Sequence, residues 1–92
     1  MRKRVLRGFN INFQEEQTIE IPADANIIDI YWKDKGMRLV AEITVGVCYV
    51  KRKIRMFRLE DELDIPGDKW QYAGCVFVSD LHGHQHVYVE KA

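Results

Sequence analysis

Apolar and polar residues alternate with a period of two in almost every apolar segment of this chain, and no long stretch shows a helical period. In residues 37–45, for example, Leu39, Ala41 and Ile43 fall on one face of an extended chain, and they alternate with Arg38, Glu42 and Thr44. Such patterning is typical of antiparallel strands. The sequence therefore predicts a mostly β fold, an antiparallel meander of six or seven short strands forming a small barrel or a two-layer sandwich.

The same alternation predicts which side chains form the core, and it confines helix to a turn or two within residues 60–69. Cys48 and Cys75 each lie in an apolar, strand-like run, without a Cys-x-x-Cys motif or an adjacent histidine. We expect both to be buried, reduced, structural thiols, with a disulfide between them as the alternative. The residues expected to be mostly buried are Phe9, Ile11, Ile19, Ile28, Ile30, Leu39, Ile43, Ile54, Val76 and Val87.

Length and composition are those of one globular domain spanning residues 1–92, with 47% hydrophobic and 30% charged residues. The formal net charge is zero, so no bulk attraction to nucleic acid or to an anionic membrane is expected. The apolar runs are far shorter than the roughly 20 residues of a spanning helix. The basic start of the chain is followed by residues too polar for a signal peptide. We therefore expect a cytoplasmic protein without membrane contact.

The segment 27–33 is apolar on both faces. Ile28, Ile30 and Trp32 fall on one face, and Ile27 and Tyr31 on the other. A strand of this kind is central in a sheet or lies at an interface. Because a sheet without helices must cover its second face, we expect self-association as a symmetric homodimer. The alternative is that the amino-terminal strand or residues 60–69 cover that face.

Three histidines, His82, His84 and His86, lie close together near the end of the chain. On an extended strand, His84 and His86 project from the same face and could share a zinc ion. A hairpin turn at Gly83 would instead separate His82 from the other two. The turn is the favoured interpretation, so no metal and no cofactor is expected. Without a carboxylate placed to orient them, these histidines also make a poor acid–base centre.

Nine of the 14 basic residues lie in residues 2–7 and 51–58. If the amino-terminal strand pairs with residues 51–58, the two segments would form one basic stripe interleaved with aromatics, a pattern that grips oligonucleotides and phosphorylated ligands. A solvated strand edge is the favoured alternative, and acidic residues 60–64 could neutralise the charges internally. Most large aromatics should be core, with either Tyr31 or Trp32 left outside. The candidate binding residues are Tyr31, Trp32, Tyr49, Lys51, Lys53, Arg55, Phe57 and Arg58.

Several motifs together resemble a family of short phage and prophage proteins of unknown function. They are QTIEIP at residues 17–22, ANII at 25–28, RMF at 55–57, YAG at 72–74 and HVY at 86–88. The resemblance covers nearly the whole chain and implies a phage gene product acting in bacterial cytoplasm. It carries no catalytic residues, and it favours a structural role for His86.

The chain departs from that family in two places. Residues 39–42, LVAE, stand where the family has an aromatic, and residues 60–62, EDE, replace a Gly-Thr-Gly turn. No phosphate-binding loop, nucleophile elbow or carboxylate pair is present. The hypothesis is a non-enzymatic phage accessory protein that binds and blocks or sequesters a host protein or small host ligand, such as a counter-defence inhibitor. The alternative is a small nucleic-acid or nucleotide-binding module using the basic strand of residues 51–58.

Overall fold

The alternating segments form seven strands in a computed structural model that describes residues 2–34 and 36–91. Three strands form one sheet in the order β1-β4-β3, and four form the other in the order β2-β5-β7-β6, with every neighbouring pair antiparallel. The strands are β1 (Arg4–Ile11), β2 (Glu16–Pro22), β3 (Asn26–Lys33), β4 (Gly36–Thr44), β5 (Tyr49–Phe57), β6 (Trp70–Ser79) and β7 (Gly83–Glu90).

The two sheets confirm the mostly β prediction and fit its two-layer sandwich rather than a closed barrel. The chain crosses from one sheet to the other after β1, β2 and β4. Residues 58–69 form a loop with turns, and no helix forms in the part of the chain that is described. In residues 2–34 and 36–91, therefore, no helix is long and apolar enough to cross a membrane.

The core lies between the sheets and is built from alternate residues of their strands. Leu39 and Ile43 of β4 are almost fully buried, as is Ile54 of β5. Burying one such side chain stabilises the fold by about 1.5–3 kcal/mol. Of the predicted core residues, Phe9 and Ile19 are partly buried against this cluster. Those confirmed as buried are Ile11, Ile30, Leu39, Ile43, Ile54, Val76 and Val87.

A β-bulge in β3 reverses part of the predicted pattern. The pairing register with β4 shifts between Ile27 and Asp29, so Ile28 is an extra residue without a partner. Such a residue changes which face the neighbouring side chains point to. Ile27 is therefore buried with Ile30, whereas Ile28 is 48% exposed. The predictions that Ile28 is buried and that Ile27 lies on the outer face are wrong for this reason.

Both cysteines are free, as predicted, but both are exposed, so the prediction that they are buried is wrong. Cys48 lies in the connection between β4 and β5. Cys75 lies in β6 directly after a register shift between Tyr72 and Gly74. The segment around Cys75 is apolar on both faces, so its sequence pattern does not distinguish the inner face from the outer one.

Two edge strands, β3 of one sheet and β6 of the other, lie against each other. The Gln71 side chain donates a hydrogen bond from Nε2 to the Ile27 carbonyl at 3.0 Å. At Gly74, φ is +141°, and an added Cβ would lie 2.9 Å from Cγ2 of Ile30. A glycine is therefore required at this close approach, on grounds of both backbone conformation and space.

Arg52 is one of the few charged side chains in the interior, being only 3% exposed on the inner side of β5. Its Nε donates to the Glu90 carbonyl at 2.6 Å and its NH1 to the Ala25 carbonyl at 3.0 Å. Burial lowers the pKa of Arg52, and the Glu90 carboxylate opposes that shift. Arg52 thus belongs to the core rather than to the surface basic segment that includes it in the sequence.

We expect Ile43→Ala to lower the free energy of unfolding by about 2–4 kcal/mol, because it leaves a cavity in the core. Ile28→Ala removes the same atoms from an exposed site and should cost less than about 1 kcal/mol. Urea unfolding of the two variants measures the difference. Equal losses would contradict the outward position of Ile28 at the bulge and the buried position of Ile43.

Candidate binding surface

The outward face of the four-stranded sheet carries a row of aromatic and imidazole rings. Because Gln85, Val87 and Val89 of β7 point inward, the residues between them point outward. Adjacent strands β5 and β6 add rings beside them. We call this set the aromatic face, and its members are Phe57, Tyr72, Phe77, His84, His86 and Tyr88.

The rings of the aromatic face pack against one another across the strands. The centroids of Tyr72 and Tyr88 are 5.2 Å apart in an edge arrangement, and those of Phe57 and Tyr88 are 5.7 Å apart. The His86 ring stacks on Tyr72 with a centroid distance of 6.0 Å, and the ring centroids of Phe77 and His84 are 5.0 Å apart. Such contacts stabilise each aromatic pair by about 0.5–1.5 kcal/mol. The rings of the face therefore restrict one another.

Exposure varies across the aromatic face. Tyr72 and Phe77 are 49% and 50% exposed at its β6 side. Phe57, at the β5 side, is buried where residues 58–69 pass over the sheet. A shallow cleft of about 210 Å³ lies between that loop and the sheet, lined in part by Leu63 and Tyr88. The rings available to a partner are therefore those of β6 and β7. The prediction that most large aromatics are core residues is wrong for the tryptophans and tyrosines, none of which is fully buried.

Tyr72, His86 and Cys75 form a cluster within this surface. The Tyr72 hydroxyl lies 2.9 Å from Nδ1 of His86, and the Cys75 Sγ lies 3.9 Å from Nε2 of the same ring. Burial raises the pKa of Tyr72, with smaller contributions from Cys75 and Tyr88. Sequence reasoning found no histidine next to either cysteine. The contact arises from strand pairing, because Cys75 of β6 is directly opposite His86 of β7.

The outward basic residues of β5 lie next to acidic ones. Lys51 pairs with Glu20 of β2, and Arg55 pairs with Glu16. The Arg55 guanidinium also bonds Asp64 of the following loop at 2.9 Å. The prediction that the acidic loop could neutralise this strand is confirmed for Arg55. Lys51 and Arg55 therefore have acidic neighbours, whereas Lys53 is opposite Thr18.

The amino-terminal strand does not join this basic strand. β1 pairs with β4 in the three-stranded sheet, and β2 takes the place next to β5. The condition for one basic stripe from residues 2–7 and 51–58 is therefore not met. The favoured prediction of a strand edge is also wrong, because β5 lies between β2 and β7. One contact does link the segments, since Arg7 NH1 donates to the Tyr49 hydroxyl at 3.3 Å.

The predicted binding residues are divided between the two sheets. Tyr31 and Trp32 lie on β3 of the three-stranded sheet, where Tyr31 is exposed and Trp32 is partly buried. The other six lie on or directly after β5 of the four-stranded sheet, and they are Tyr49, Lys51, Lys53, Arg55, Phe57 and Arg58. Of these six, Arg55 and Phe57 are in contact, with the guanidinium carbon 5.0 Å from the ring centroid.

The three histidines contact different rings. The hairpin turn has Gly83 at a φ of +67°, a conformation that favours glycine. His82, before this turn, packs edge-on against Phe13 at 4.7 Å, whereas His84 and His86 face β6. In residues 2–34 and 36–91, no three His, Cys, Asp or Glu side chains are grouped to hold a metal ion.

A second cleft lies away from the aromatic face, beside the β3–β4 turn. It has a volume of about 380 Å³, and its lining includes Asn10, Asn12 and Lys33. Its Arg38 guanidinium already donates to the Asn10 side-chain oxygen at 3.0 Å. Because few apolar groups line it, it is a less suitable binding site than the aromatic face.

Comparison of the chain with protein-family models, with curated proteins and with solved structures found no match. The resemblance to short phage proteins remains a prediction from the motifs quoted above.

We expect the Tyr72 hydroxyl to ionise above pH 10.0, because its pKa is raised mainly by burial. The Tyr72 ring signal in nuclear magnetic resonance, identified by its loss in Tyr72→Phe, reports this ionisation. In denaturant the same signal should titrate at the ordinary tyrosine value of about 10. A midpoint below pH 10 in the folded protein would contradict the packing described for this ring.

Proposed function

We propose that the protein is a non-enzymatic binding protein that recognises a host protein through the aromatic face and blocks it. The observation that carries this proposal is the pair of half-exposed rings, Tyr72 and Phe77, held on an ordered sheet. The resemblance to short phage proteins suggests the setting, in which the protein is a phage accessory factor in bacterial cytoplasm. A counter-defence inhibitor is one role of this kind.

Two properties of the surface favour a protein partner. Large aromatic side chains contribute much of the binding energy at protein interfaces, and here neighbouring rings already restrict them. Little side-chain entropy is then lost on binding. The charges on the same sheet are of both signs, with Lys51 opposite Glu20 and Arg55 bonded to Asp64. Mixed charges suit another protein surface better than a uniformly negative ligand.

The alternative is a nucleic-acid or nucleotide-binding module using the basic strand of residues 51–58. Aromatic rings on a sheet could stack against bases, and Lys51 and Lys53 are exposed on the same sheet. Phosphate binding, however, requires a surplus of positive charge, and acidic residues of β2 and the following loop lie next to this strand. The net charge of the chain is also zero. This function is therefore less favoured, and it would appear as salt-sensitive binding of oligonucleotides.

The partner can be identified by capture from a bacterial lysate and then tested as a purified protein. We expect the double variant Tyr72→Ala with Phe77→Ala to bind that protein roughly 30-fold more weakly, the effect of losing about 2 kcal/mol at a hot spot. Tyr49→Ala is the matched control, since Tyr49 is equally exposed at 50% but lies outside the aromatic face.

Three results would contradict the proposal. They are unchanged affinity in the double variant, an equal loss in the Tyr49→Ala control, and oligonucleotide binding that weakens with salt and with loss of Lys51 and Lys53. Circular dichroism of each variant checks that the fold is retained, so that a weaker affinity is attributed to the surface.

We also propose that the protein forms a symmetric homodimer through the outward face of the three-stranded sheet. The sequence-based expectation of a dimer partly depended on an exposed Ile27, which is a core residue. Ile28 is exposed on the outward side of the sheet instead. Ile28 is 48% exposed, Tyr31 36% and Leu6 64%. All three belong to this one sheet. A two-fold interface would remove these apolar groups from water.

Sedimentation at micromolar concentration measures the mass in solution. We expect twice the chain mass of 10.9 kDa for the unmodified protein, and a monomer for Tyr31→Glu, because the interface would then bury an unpaired charge. Tyr49→Glu introduces the same charge on the other sheet and should leave the dimer intact. A monomer in every case would remove the homodimer.

A further inference from the structure

Cys75 and His86 are arranged as a thiol and its proton acceptor. They lie directly opposite each other on β6 and β7, with Sγ 3.9 Å from Nε2. The second ring nitrogen, Nδ1, lies 2.9 Å from the Tyr72 hydroxyl. If the Nδ1 proton is donated to that hydroxyl oxygen, the lone pair of Nε2 faces the thiol. Cys75 as nucleophile, His86 as base and Tyr72 as the group that orients the base thus form a chain of contacts.

The sulfur of this cluster is accessible. Cys75 is exposed at the surface, whereas His86 is partly buried beneath its neighbours. The stacked Tyr72 ring and the hydrogen bond to its hydroxyl together restrict the imidazole. A small molecule can therefore reach the sulfur while the ring nitrogen stays in place. Reactive cysteines typically combine these properties, a partly exposed sulfur and a neighbouring imidazole.

We propose that Cys75 is an activated thiol that undergoes exchange with small disulfides, with His86 as the base. The thiol proton moves to Nε2 of His86 as Sγ attacks one sulfur of the disulfide. A new S–S bond forms to Cys75 and the original S–S bond breaks, so its second sulfur leaves with the electron pair. The leaving thiolate takes the proton from Nε2 and departs as a thiol. The small disulfide is the oxidant, and atoms and electrons balance without another reactant.

The modification site does not depend on the proposed binding of a host protein. Its product would nevertheless lie within the aromatic face, where an added group would cover part of the surface. Cys48 provides an internal reference in the same molecule, since it is also a free, exposed thiol. In residues 2–34 and 36–91 the structure gives Cys48 no bond to an imidazole, in contrast to Cys75.

The test uses glutathione disulfide as the probe, with peptide mass spectrometry to measure the modification rate at each cysteine of the full chain. At neutral pH we expect Cys75 to react at least about tenfold faster than Cys48, a modest effect for an assisting base. Cys48→Ser should leave the Cys75 rate unchanged. In denaturant, where the strands separate, the ratio should fall to about one.

Two variants identify the source of the rate difference. His86→Gln removes the base and should bring Cys75 down to the rate of Cys48. Tyr72→Phe keeps the ring and removes the hydroxyl that orients the imidazole, so the ratio of the Cys75 rate to the Cys48 rate should fall partway. This second variant tests the proposal even if His86→Gln does not fold. Equal rates in the native protein, or a ratio that survives in Tyr72→Phe or in denaturant, would overturn the proposal.

Discussion

The stacking of the two sheets depends on how a buried charge is accommodated between them. Arg52 points inward from β5, and its guanidinium reaches the Ala25 carbonyl, just before β3, and the Glu90 carbonyl at the end of β7. An uncompensated charge in this position would be strongly destabilising. Because both acceptors are main-chain groups, the bonds constrain the backbone of a loop and a strand end.

Bulges explain where the sequence pattern predicts the fold and where it does not. The core positions of β4 follow strict alternation, and the strand is paired with β1 without interruption, so Leu39 and Ile43 could be assigned from the sequence. In β3 and β6 the register shifts within the strand. The shift in β3 changes the inward face by one residue, which is why simple alternation places Ile28 inside. The prediction for Cys75 fails for a different reason, since Val76 is buried as predicted and the residue next to it on the strand therefore points outward. A bulge within an apolar segment has no clear sequence signal, because both phases look alike.

The candidate surface was only partly predictable, for a related reason. The basic residues of β5 and Phe57 are recognisable as a group because they are neighbours in one strand. The contact of Cys75 with His86 requires the register of two strands joined at the Gly83 turn. Pairing these strands residue by residue from Ser79 and Gly83 would place Cys75 opposite Val87, because the register shifts between Phe77 and Ser79. The contact therefore depends on an irregularity that the local pattern does not reveal. The position of β2 beside β5, which brings acidic residues to the basic strand, depends on pairing between strands that are far apart in the sequence. Such long-range pairing cannot be read from local patterns.

The contact between β3 and β6 also affects how the protein behaves when it is crowded. Each sheet has two edge strands, and unpaired backbone groups on such edges can recruit strands from other molecules. With Gly74 allowing close approach, β3 and β6 cover each other on one side of the sandwich. The remaining edges are β1, which carries Arg4 and Arg7, and β2, which ends at Pro22. Charge and proline oppose the addition of a further strand, so the fold protects itself against ordered aggregation.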